Sequence, residues 1–422
     1  MVEFRSDFLQ LLSSRDQIHQ STDEAGLDSL MRQERVAGYI GFDCTAPSLH
    51  VGSLVQIMTL RRLQQTGHKP IVVMGGGTTK IGDPSGKDEM RQLLTSEDIE
   101  SNKQTIFGIF ERFLKFGEGT SDAIMVDNAD WLDRLEYIPF LRDVGRHFSI
   151  NRMLTMDSVK LRLDRDAPMS FLEFNYMILQ AYDFVELYRR YGCRLQAGGS
   201  DQWGNIVAGI DLGRRIAEAE LFGVTSPLIT TSSGTKMGKT AAGAVWLNAE
   251  RRSPYEYWQF WRNTEDGDVG RFLRLFTELP ESEIGRLEAL EGSELNEAKK
   301  ILATEATALC HGHDAAVEAR AAADAAFERG ELSDKLPTFD IDRGQQGQWR
   351  DGRSNTAIVV ASHLVSSSSE ARRKIAEGAV RINDRIVHDP NEIVMWTDVD
   401  PKLGAFKVQL GKRKIVLVKP KK

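Results

Sequence analysis

The sequence predicts an α/β fold: a Rossmann-like domain with a parallel sheet and a helical insertion, followed by an α-helical domain and a small α+β module. Three observations lead to this prediction. Between residues 37 and 204, short apolar runs, glycine-rich turns and amphipathic helices alternate, as they do where crossover helices connect parallel strands. Helical periodicity dominates residues 254–329. A basic segment with both helical and strand-like pieces occupies residues 353–422.

The composition is that of a folded chain with several domains. Its 422 residues exceed the roughly 100 to 200 of one domain, and 41% hydrophobic with 27% charged residues is an ordinary globular balance. Cys44, Cys193 and Cys310 are too few and too far apart for a disulfide framework or a CxxC-type zinc site. The N-terminus lacks the apolar core of an export signal, and no run is long enough for a membrane span. We therefore expect a cytoplasmic protein with no membrane partner.

The first domain is expected to cover residues 1–233. Its predicted strands are 37–42, 70–74, 123–126 and 194–197, and its predicted helices include 52–65 and 97–115. Thr95 or Ser96 provides a capping signal at the start of the second helix. The segment from about 131 to 191 is mainly helical and longer than one crossover requires. It is therefore interpreted as an insertion that could cover a ligand or form a subunit interface.

Three further segments follow. Residues 234–339 are expected to form a glycine-flanked loop and a helical domain, 340–352 a polar linker, and 353–422 a separate module with a hairpin near RINDRIV. The module holds 14 basic and 7 acidic residues, whereas residues 1–352 hold 40 basic and 54 acidic ones. A basic C-terminal module attached to an acidic remainder of the chain suggests that the module binds a polyanion. A solvated basic tail would have the same composition.

The segment YIGFDCTAPSLHVGS, residues 39–53, carries the strongest local signal. A strand runs into a turn with Asp43 and Thr45, and His50 and Gly52 then open a helix. Ligands of open α/β sheets bind beyond the carboxyl ends of strands, where a helix N-terminus offers N–H donors to phosphate. His50 is thus placed for a phosphate contact, and Gly52 allows close approach of a nucleotide. A structural helix cap is the simpler interpretation of His50 taken alone.

A second motif, GTKMGKT at residues 234–240, places Lys236 and Lys239 on a loop between domains. Two ammonium groups on such a loop can neutralise charge that grows on a departing polyphosphate. Together the two motifs resemble those of the class I aminoacyl-tRNA synthetases, with HVGS in place of HIGH and KMGKT in place of KMSKS. Ser53 replaces the final histidine and can offer only a hydroxyl, while Gly238 and Thr240 replace two serines and loosen the loop.

The segment FLEFNYMILQAYDF indicates a helix with a polar stripe of Tyr176, Gln180 and Asp183 and an apolar stripe that packs and includes Phe171. Solvent exposure would explain the polar stripe equally well. However, the next predicted strand, turn and helix start place Asp201 and Gln202 at the ligand-binding end of the sheet.

Over residues 35–245 the sequence is similar specifically to the bacterial tyrosyl-tRNA synthetases, through YxGFDxTAxSLHxG, YMxLQAYDF, GGSDQWGN and GTKxGKT. This resemblance implies that Tyr39 and Asp183 bind the phenolic hydroxyl of L-tyrosine and that Asp83, Tyr176 and Gln180 bind its ammonium group. An acidic and a phenolic group aimed at a phenol would disfavour phenylalanine, which leaves both unpaired; this enzyme type is itself the standard example, at about 10⁵-fold discrimination.

The resemblance also implies an ATP site. The residues it assigns there are Gly41, Asp43, His50, Gly52, Ser53, Lys87, Arg91, Gly199, Asp201, Gln202, Lys236, Lys239 and Thr240. The segment GGGTTKIGDPSGK, residues 75–87, is not a P-loop, because its glycine and lysine spacing fits neither GxxxxGK[ST] nor GxGxxG. By resemblance, Lys87 and Arg91 lie near the pyrophosphate exit.

The last 70 residues resemble the alpha-L RNA-binding module found in a ribosomal protein and in pseudouridine synthases. The similarity lies in SSEARRKIAEGAVRINDR, a helix exposing Arg372, Arg373 and Lys374 before a turn into a strand. Contacts to the shape and phosphates of structured RNA would be its mode of binding.

The reaction implied is that of a tyrosine–tRNA ligase. The tyrosine carboxylate attacks the α-phosphate of ATP, and the terminal ribose of tRNA(Tyr) then accepts the aminoacyl group. Thr45, His50, Lys236 and Lys239 would stabilise the charged phosphorus centre, and Mg²⁺ would accompany ATP without a dedicated protein metal site. A homodimer is expected by resemblance. Two alternatives stay open: a tryptophanyl-tRNA synthetase, which Asp183 disfavours, and an RNA-binding relative that has lost activation, which His50, Lys236 and Lys239 disfavour.

Overall fold

A computed structural model describes residues 3–84, 94–234, 237–240, 243–328, 336–342, 352–401, 403–411 and 414–421. The chain divides into two compact units. The first contains residues 1–240, 244–248 and 264–298, and the second contains 241–243, 249–263 and 299–422. None of the helices within these described ranges is long and apolar enough to cross a bilayer.

The first unit is built on a six-stranded sheet in the order β1-β6-β5-β2-β3-β4. Its strands are β1 Gln20–Ser21, β2 Ala37–Phe42, β3 Lys69–Met74, β4 Ile124–Asp127, β5 Cys193–Gly199 and β6 Phe222–Ser226. All neighbours are parallel except β1 and β6. The α/β prediction is confirmed, and each of the four predicted strands lies within two residues of an observed one.

The strand order creates a switch point. The chain proceeds outward from β2 through β3 to β4 and then returns to β5, on the other side of β2. Crossovers therefore leave in opposite directions from β2 and β5, and a crevice opens beyond their carboxyl ends. The predicted nucleotide-binding segment follows β2 at this position.

Eighteen α-helices occur in the described ranges. They are α1 Asp7–Ser14, α2 Glu24–Gln33, α3 Leu54–Gln65, α4 Ser96–Phe113, α5 Ala129–Leu132, α6 Tyr137–Asp143, α7 Ile150–Met153, α8 Asp157–Asp164, α9 Phe171–Phe174, α10 Tyr176–Tyr191, α11 Trp203–Ala217, α12 Pro254–Arg262, α13 Val269–Phe276, α14 Glu281–Glu288, α15 Leu295–His311, α16 His313–Glu328, α17 Asn355–Ala361 and α18 Ser368–Ala376. Helices α5 to α10 lie between β4 and β5, in the segment that was expected to be an insertion. The capping signal before α4 acts through Thr95, whose hydroxyl accepts a hydrogen bond from the Asp98 amide.

One packing expectation in the insertion is wrong. Phe171 was placed on the buried stripe of a continuous helix, but it lies in the four-residue α9, and 68% of it is exposed. Asn175 separates α9 from α10. The stripe is therefore interrupted, and only its members from Ile178 onward, including Ala181 and Val185, are buried on α10.

The second unit combines helices with a five-stranded sheet in the order β12-β11-β14-β15-β9. The remaining strands of the chain are β7 Lys239–Thr240, β8 Gly243–Ala244, β9 Thr338–Asp342, β10 Gly352–Ser354, β11 Val380–Ile382, β12 Arg385–Ile386, β13 Ile393–Met395, β14 Phe406–Leu410 and β15 Lys414–Lys421. The predicted hairpin joins β11 and β12 through Asn383 and Asp384, which both have positive φ as a two-residue turn of this kind requires. Trp258 and Trp261 of α12 are buried, and Phe260 between them is partly buried.

The expected linker at 340–352 begins inside a strand. β9 pairs in parallel with β15, so residues 340–342 belong to the C-terminal sheet. The reason is an alternation in TFDID that the polar composition concealed: Phe339 and Ile341 pack against the apolar core of the module, while the intervening residues do not.

Candidate active site

A cavity of about 730 Å³ opens at the switch point beyond β2 and β5. Its volume lies within the range of small-molecule sites. Many of the residues predicted for tyrosine and ATP line it: Tyr39, Gly41, Asp43, Thr45, His50, Gly52, Ser53, Asp83, Tyr176, Gln180, Asp183, Gly199, Asp201 and Gln202. The fold therefore brings together side chains that the sequence separates by up to 163 positions.

Tyr39 on β2 and Asp183 on α10 are buried polar groups in one part of the cavity wall. Only 2% of Tyr39 and 3% of Asp183 are exposed. Trp131 Nε1 donates to one Asp183 carboxylate oxygen (2.7 Å), and Asn128 Nδ2 donates to the other (3.0 Å). The buried Tyr39 hydroxyl has no hydrogen-bond partner among the described residues. Because a buried unpaired hydroxyl is costly, this part of the cavity is suited to a ligand that supplies a polar group.

The protonation of Asp183 is unusual. Burial raises the pKa of its carboxyl to about 7, and the negative charges of Asp43 and Asp127 act in the same direction. The hydrogen bonds from Asn128 and Trp131 oppose this rise, since they stabilise the ionised form. Asp183 therefore titrates near neutral pH in the unliganded protein.

A hydrogen-bonded chain connects this part of the cavity to the turn after β2. Asp43 accepts from the Tyr176 hydroxyl (3.1 Å) and from the Thr78 hydroxyl (2.8 Å). Asn128 Nδ2 in turn donates to Thr78 Oγ1 (3.0 Å) as well as to Asp183. Tyr176, Asp43 and Asp183 are consequently held in one connected arrangement.

Amide side chains form a second network along the cavity wall. Gln202 Nε2 donates to Asp83 Oδ2 (3.1 Å), and Gln180 Nε2 donates to Gln202 Oε1 (3.3 Å). Asn205 Nδ2 donates to Gln180 Oε1 (2.9 Å) and to Gln202 Oε1 (3.1 Å). This network collects carbonyl and carboxylate oxygens in one region, an environment that suits an ammonium group.

His50 caps the start of the helix that follows it. Its Nδ1 accepts a hydrogen bond from the Gly52 amide (3.0 Å). In the neutral ring an accepting Nδ1 leaves the proton on Nε2, so the cap itself selects the tautomer that can donate from Nε2. The two interpretations of His50, structural cap and phosphate donor, are therefore compatible.

The lysine loop is described in part. Gly238 has φ +89°, and a Cβ at this position would lie 2.9 Å from the Gly52 amide nitrogen and 3.0 Å from His50 Nδ1. Glycine thus allows the loop backbone to approach the HVGS segment, whereas the expected effect of this substitution was only a looser loop. The structure describes the backbone of Lys239 and Thr240; Lys236, Lys87 and Arg91 lie outside the described residues.

Among the residues of the cavity region that were not identified from the sequence are Thr78, Asn128, Trp131, Gln196 and Asn205. Thr78 and Asn128 follow β3 and β4 closely, so their position beyond a strand end was an available signal. Gln196 lies on β5, and its buried Oε1 has no hydrogen-bond partner among the described residues. Trp131 and Asn205 lie near the starts of α5 and α11, and no pattern of neighbouring residues indicates that they support the site.

The predicted RNA-contacting residues lie on α18 in the second unit. Arg372 and Arg373 are exposed, whereas Lys374 is half-buried and its Nζ lies 2.8 Å from Glu377 Oε2. Arg373 is 3.8 Å from the same carboxylate group. Arg372 and Arg373 therefore offer the more accessible positive charge on this helix.

Metal-binding side chains are not grouped in the ranges that the structure describes: no cluster of three or more His, Cys, Asp or Glu residues could hold an ion there.

Comparisons with known proteins identify the family of the chain. Residues 31–328 match the family described as tRNA synthetases class I (W and Y), and residues 357–395 match the S4 domain. The tyrosine–tRNA ligase of Nitrobacter winogradskyi is 58% identical over 420 residues, covering 100% of both chains. That of Rhodospirillum rubrum is 60% identical over 415 residues, 98% of both chains. The solved structure of a C-terminally truncated mitochondrial tyrosyl-tRNA synthetase from Aspergillus nidulans is 31% identical with a TM-score of 0.68, covering 75% of this chain and 93% of that one.

Proposed function

The chain belongs to the tyrosyl-tRNA synthetases of class I, and we propose that the cavity at its switch point is where it carries out its chemistry. The protein is a tyrosine–tRNA ligase: it activates L-tyrosine with ATP to tyrosyl-adenylate and pyrophosphate, then transfers tyrosine to the 3′-terminal ribose of tRNA(Tyr).

The observation that carries the proposal is that the buried Tyr39 hydroxyl and the buried Asp183 carboxylate both line the cavity. A phenolic hydroxyl is both a donor and an acceptor. It can donate to the Asp183 carboxylate and accept from the Tyr39 hydroxyl, which is otherwise unpaired among the described residues. Phenylalanine would fill the same space and leave both groups without the substrate's hydrogen bonds.

The ammonium end of tyrosine is assigned to Asp83, Tyr176 and Gln180. Asp83 supplies a carboxylate, and Gln180 and Tyr176 supply neutral oxygens nearby in the two networks. This placement fixes the direction of the amino acid, with the phenol inward and the carboxylate toward the HVGS segment. Orientation of this kind supplies much of the rate enhancement when the nucleophile is already a carboxylate.

ATP is placed along the HVGS segment and the end of β5, as its Mg²⁺ complex, with the metal held mainly by phosphates and water. Gly41, Gly52 and Gly199 give room for ribose and base, while Asp201 and Gln202 offer polar contacts. The tyrosine carboxylate attacks the α-phosphorus, and the bond to the pyrophosphate oxygen breaks. Thr45, His50, Lys236 and Lys239 stabilise the negative charge on phosphorus and on the leaving group, and Lys87 and Arg91 attract the pyrophosphate.

Amino-acid-dependent exchange of labelled pyrophosphate into ATP tests the activation step. Tyrosine should support exchange, and tryptophan at the same concentration should not. Exchange with tryptophan alone would favour the tryptophanyl alternative. Absence of exchange with either amino acid would favour an RNA-binding relative without activation, and both results would contradict the proposed site.

Tyrosine binding should depend on pH through Asp183. Its pKa of about 7 is raised above the ordinary value, so the carboxyl is protonated below pH 7 and ionised above it. Because the phenol donates to the ionised form, we expect the Kd for tyrosine to rise about tenfold per pH unit below 7 and to level off above it. Equilibrium binding without ATP measures this. Asp183→Asn should bind more weakly than the wild type above pH 7 and show no such slope below it, and a slope that survives in this variant would contradict the assignment.

The S4 module is assigned to tRNA, with Arg372, Arg373 and Lys374 near its phosphates. Arg372→Glu should raise the KM for tRNA in aminoacylation by about tenfold and leave pyrophosphate exchange unchanged, because the first half-reaction requires no tRNA. Lys419→Glu is a matched control, since Lys419 is exposed on β15 of the same module. Equal effects of the two variants would mean that general charge, and not α18, is recognised.

A homodimer is the proposed assembly. Large exposed apolar side chains are concentrated in the insertion: Tyr137 (60%), Ile138 (70%), Ile150 (65%) and Phe171 (68%). Exposed apolar surface of this density is typical of an interaction site. Sedimentation should give a mass of two chains for the wild type and one for Ile138→Glu, while Val317→Glu on α16 should remain a dimer. A monomeric wild type would contradict the proposal.

The buried free cysteines Cys44, Cys193 and Cys310 are consistent with a cytoplasmic location, which we also propose.

A further inference from the structure

The lysine loop, residues 234–240, is preceded by the segment Thr230–Ser233, its first arm. Charged residues around the start of α13 hold this arm in place. Glu265 accepts hydrogen bonds from the hydroxyls of Ser232 (2.6 Å) and Ser233 (2.8 Å). Asp268 Oδ2 accepts from the Ser232 amide (2.8 Å). Two carboxylates from one short segment thus bind the two residues that precede Gly234.

Asp268 is itself fixed. Only 3% of it is exposed, and Arg271 Nη2 donates to its second carboxylate oxygen (2.8 Å). Arg271 also donates to the Thr230 carbonyl, so the same guanidinium connects the acidic pair to the beginning of the arm. A buried carboxylate with all these contacts is a stiff anchor, because it cannot move without leaving charge unpaired.

Of the two carboxylates, Glu265 is exposed and Asp268 is buried, so Glu265 is not part of the apolar core. The two serine hydroxyls lower the pKa of Glu265, so it stays ionised at neutral pH and accepts both hydrogen bonds. Its substitution should therefore alter the arm while the rest of the first unit keeps its packing.

The second arm of the loop is anchored separately. The Met237 amide donates to the Ile229 carbonyl (2.9 Å), and the Val245 amide donates to the Gly238 carbonyl (3.0 Å). Val245 in turn accepts from the Val51 amide (2.9 Å) of the HVGS segment. In sequence, Lys236 lies between an arm fixed by Glu265 and an arm fixed against HVGS.

We propose that Glu265, supported by Asp268 and Arg271, is a positioning residue for amino acid activation, which holds the Thr230–Ser233 arm so that the lysine loop acts on the phosphates. This inference rests on the proposed role of the loop. Fixing both arms reduces the conformational freedom that the loop loses when the transition state forms. The contribution belongs to the rate of adenylate formation and not to tyrosine binding, because Glu265 is not among the residues that line the cavity.

Pyrophosphate exchange by the full chain tests this. Glu265→Ala should lower kcat for exchange about fivefold, with the Kd for tyrosine and the thermal unfolding midpoint unchanged. The double variant Ser232→Ala/Ser233→Ala should lower kcat for exchange by a similar factor. Adding Glu265→Ala to the double variant should not lower kcat further. Glu265→Asp should recover part of the rate, since it keeps the carboxylate.

Matched controls distinguish the outcomes. Glu283→Ala removes another hydrogen-bonded carboxylate, half-buried on α14 and paired with Arg286, and should leave kcat unchanged. In a Lys236→Ala background Glu265→Ala should have no further effect if Glu265 acts through that lysine. Wild-type kcat in Glu265→Ala, or losses that multiply in the triple variant, would overturn this inference while leaving the proposed function intact. An inactive wild type would instead overturn the proposed function.

Discussion

Asp183→Asn should lower kcat/KM for tyrosine by about 100- to 1000-fold, because the variant keeps the shape of the side chain and loses the carboxylate that receives the phenol. An asparagine offers one acceptor oxygen where Asp183 offers two, and Asn128 and Trp131 already donate to both of the aspartate oxygens. The amide group would also face one of these donors. Steady-state pyrophosphate exchange with varied tyrosine, and then with varied ATP, measures the effect.

The KM for ATP is the internal control for this variant and should change less than threefold. Tyr39→Phe is a second variant with a smaller expected effect, because it removes only the hydroxyl. It should lower kcat/KM for tyrosine about tenfold and raise the ratio of kcat/KM for phenylalanine to that for tyrosine. Thermal unfolding of both variants checks that they are folded. Equal losses for tyrosine and ATP in Asp183→Asn would show that the residue does not lie against the amino acid.

His50→Asn should reduce the rate of adenylate formation about 100-fold with little loss of stability. Asparagine is a good N-cap residue, so its side-chain oxygen can accept from the Gly52 amide as His50 Nδ1 does. It lacks the Nε2 donor that the capped tautomer of His50 carries, and removal of one such donor from a charged transition state costs about this factor.

The comparison with His50→Ala separates the two roles. Alanine should lose the same catalytic factor and in addition about 1 kcal/mol of unfolding free energy, because the cap is lost as well. Single-turnover adenylate formation and thermal unfolding give the two quantities. A wild-type rate in His50→Asn would mean that His50 is a helix cap only.

The sheet was predictable because its strands have short-range signals. The apolar runs that became β2 and β3 flank a helix that ends just before Gly67, whose φ is +84°, so a local pattern sufficed. The start of the linker and the packing of Phe171 were not predicted correctly. In β9 two apolar residues alternate within a polar segment, and in α9 a break at Asn175 changes the face that Phe171 presents. Such features are decided by tertiary contacts that composition does not report.

The cavity was predicted where its residues are contiguous or share one helix face. Tyr39 to Ser53 forms one motif, and Tyr176, Gln180 and Asp183 repeat at helical spacing. The supporting residues were missed because each comes alone from a different element. Asn128 contacts Asp183 across 55 positions, and only the parallel pairing of β3 with β4 places it there. These supporting residues hold in place the side chains that the motifs identify, as Asn128 does for Asp183.

The central claim is that a phenol completes the hydrogen bonds of Tyr39 and Asp183. Equilibrium binding of tyrosine and of phenylalanine to the same unliganded full-length protein, measured at pH 8 by calorimetry, tests it most directly. Tyrosine should bind at least 1000-fold more tightly than phenylalanine, as expected when a site built for a hydroxyl receives a ligand without one. A phenylalanine affinity within tenfold of that of tyrosine would contradict the account.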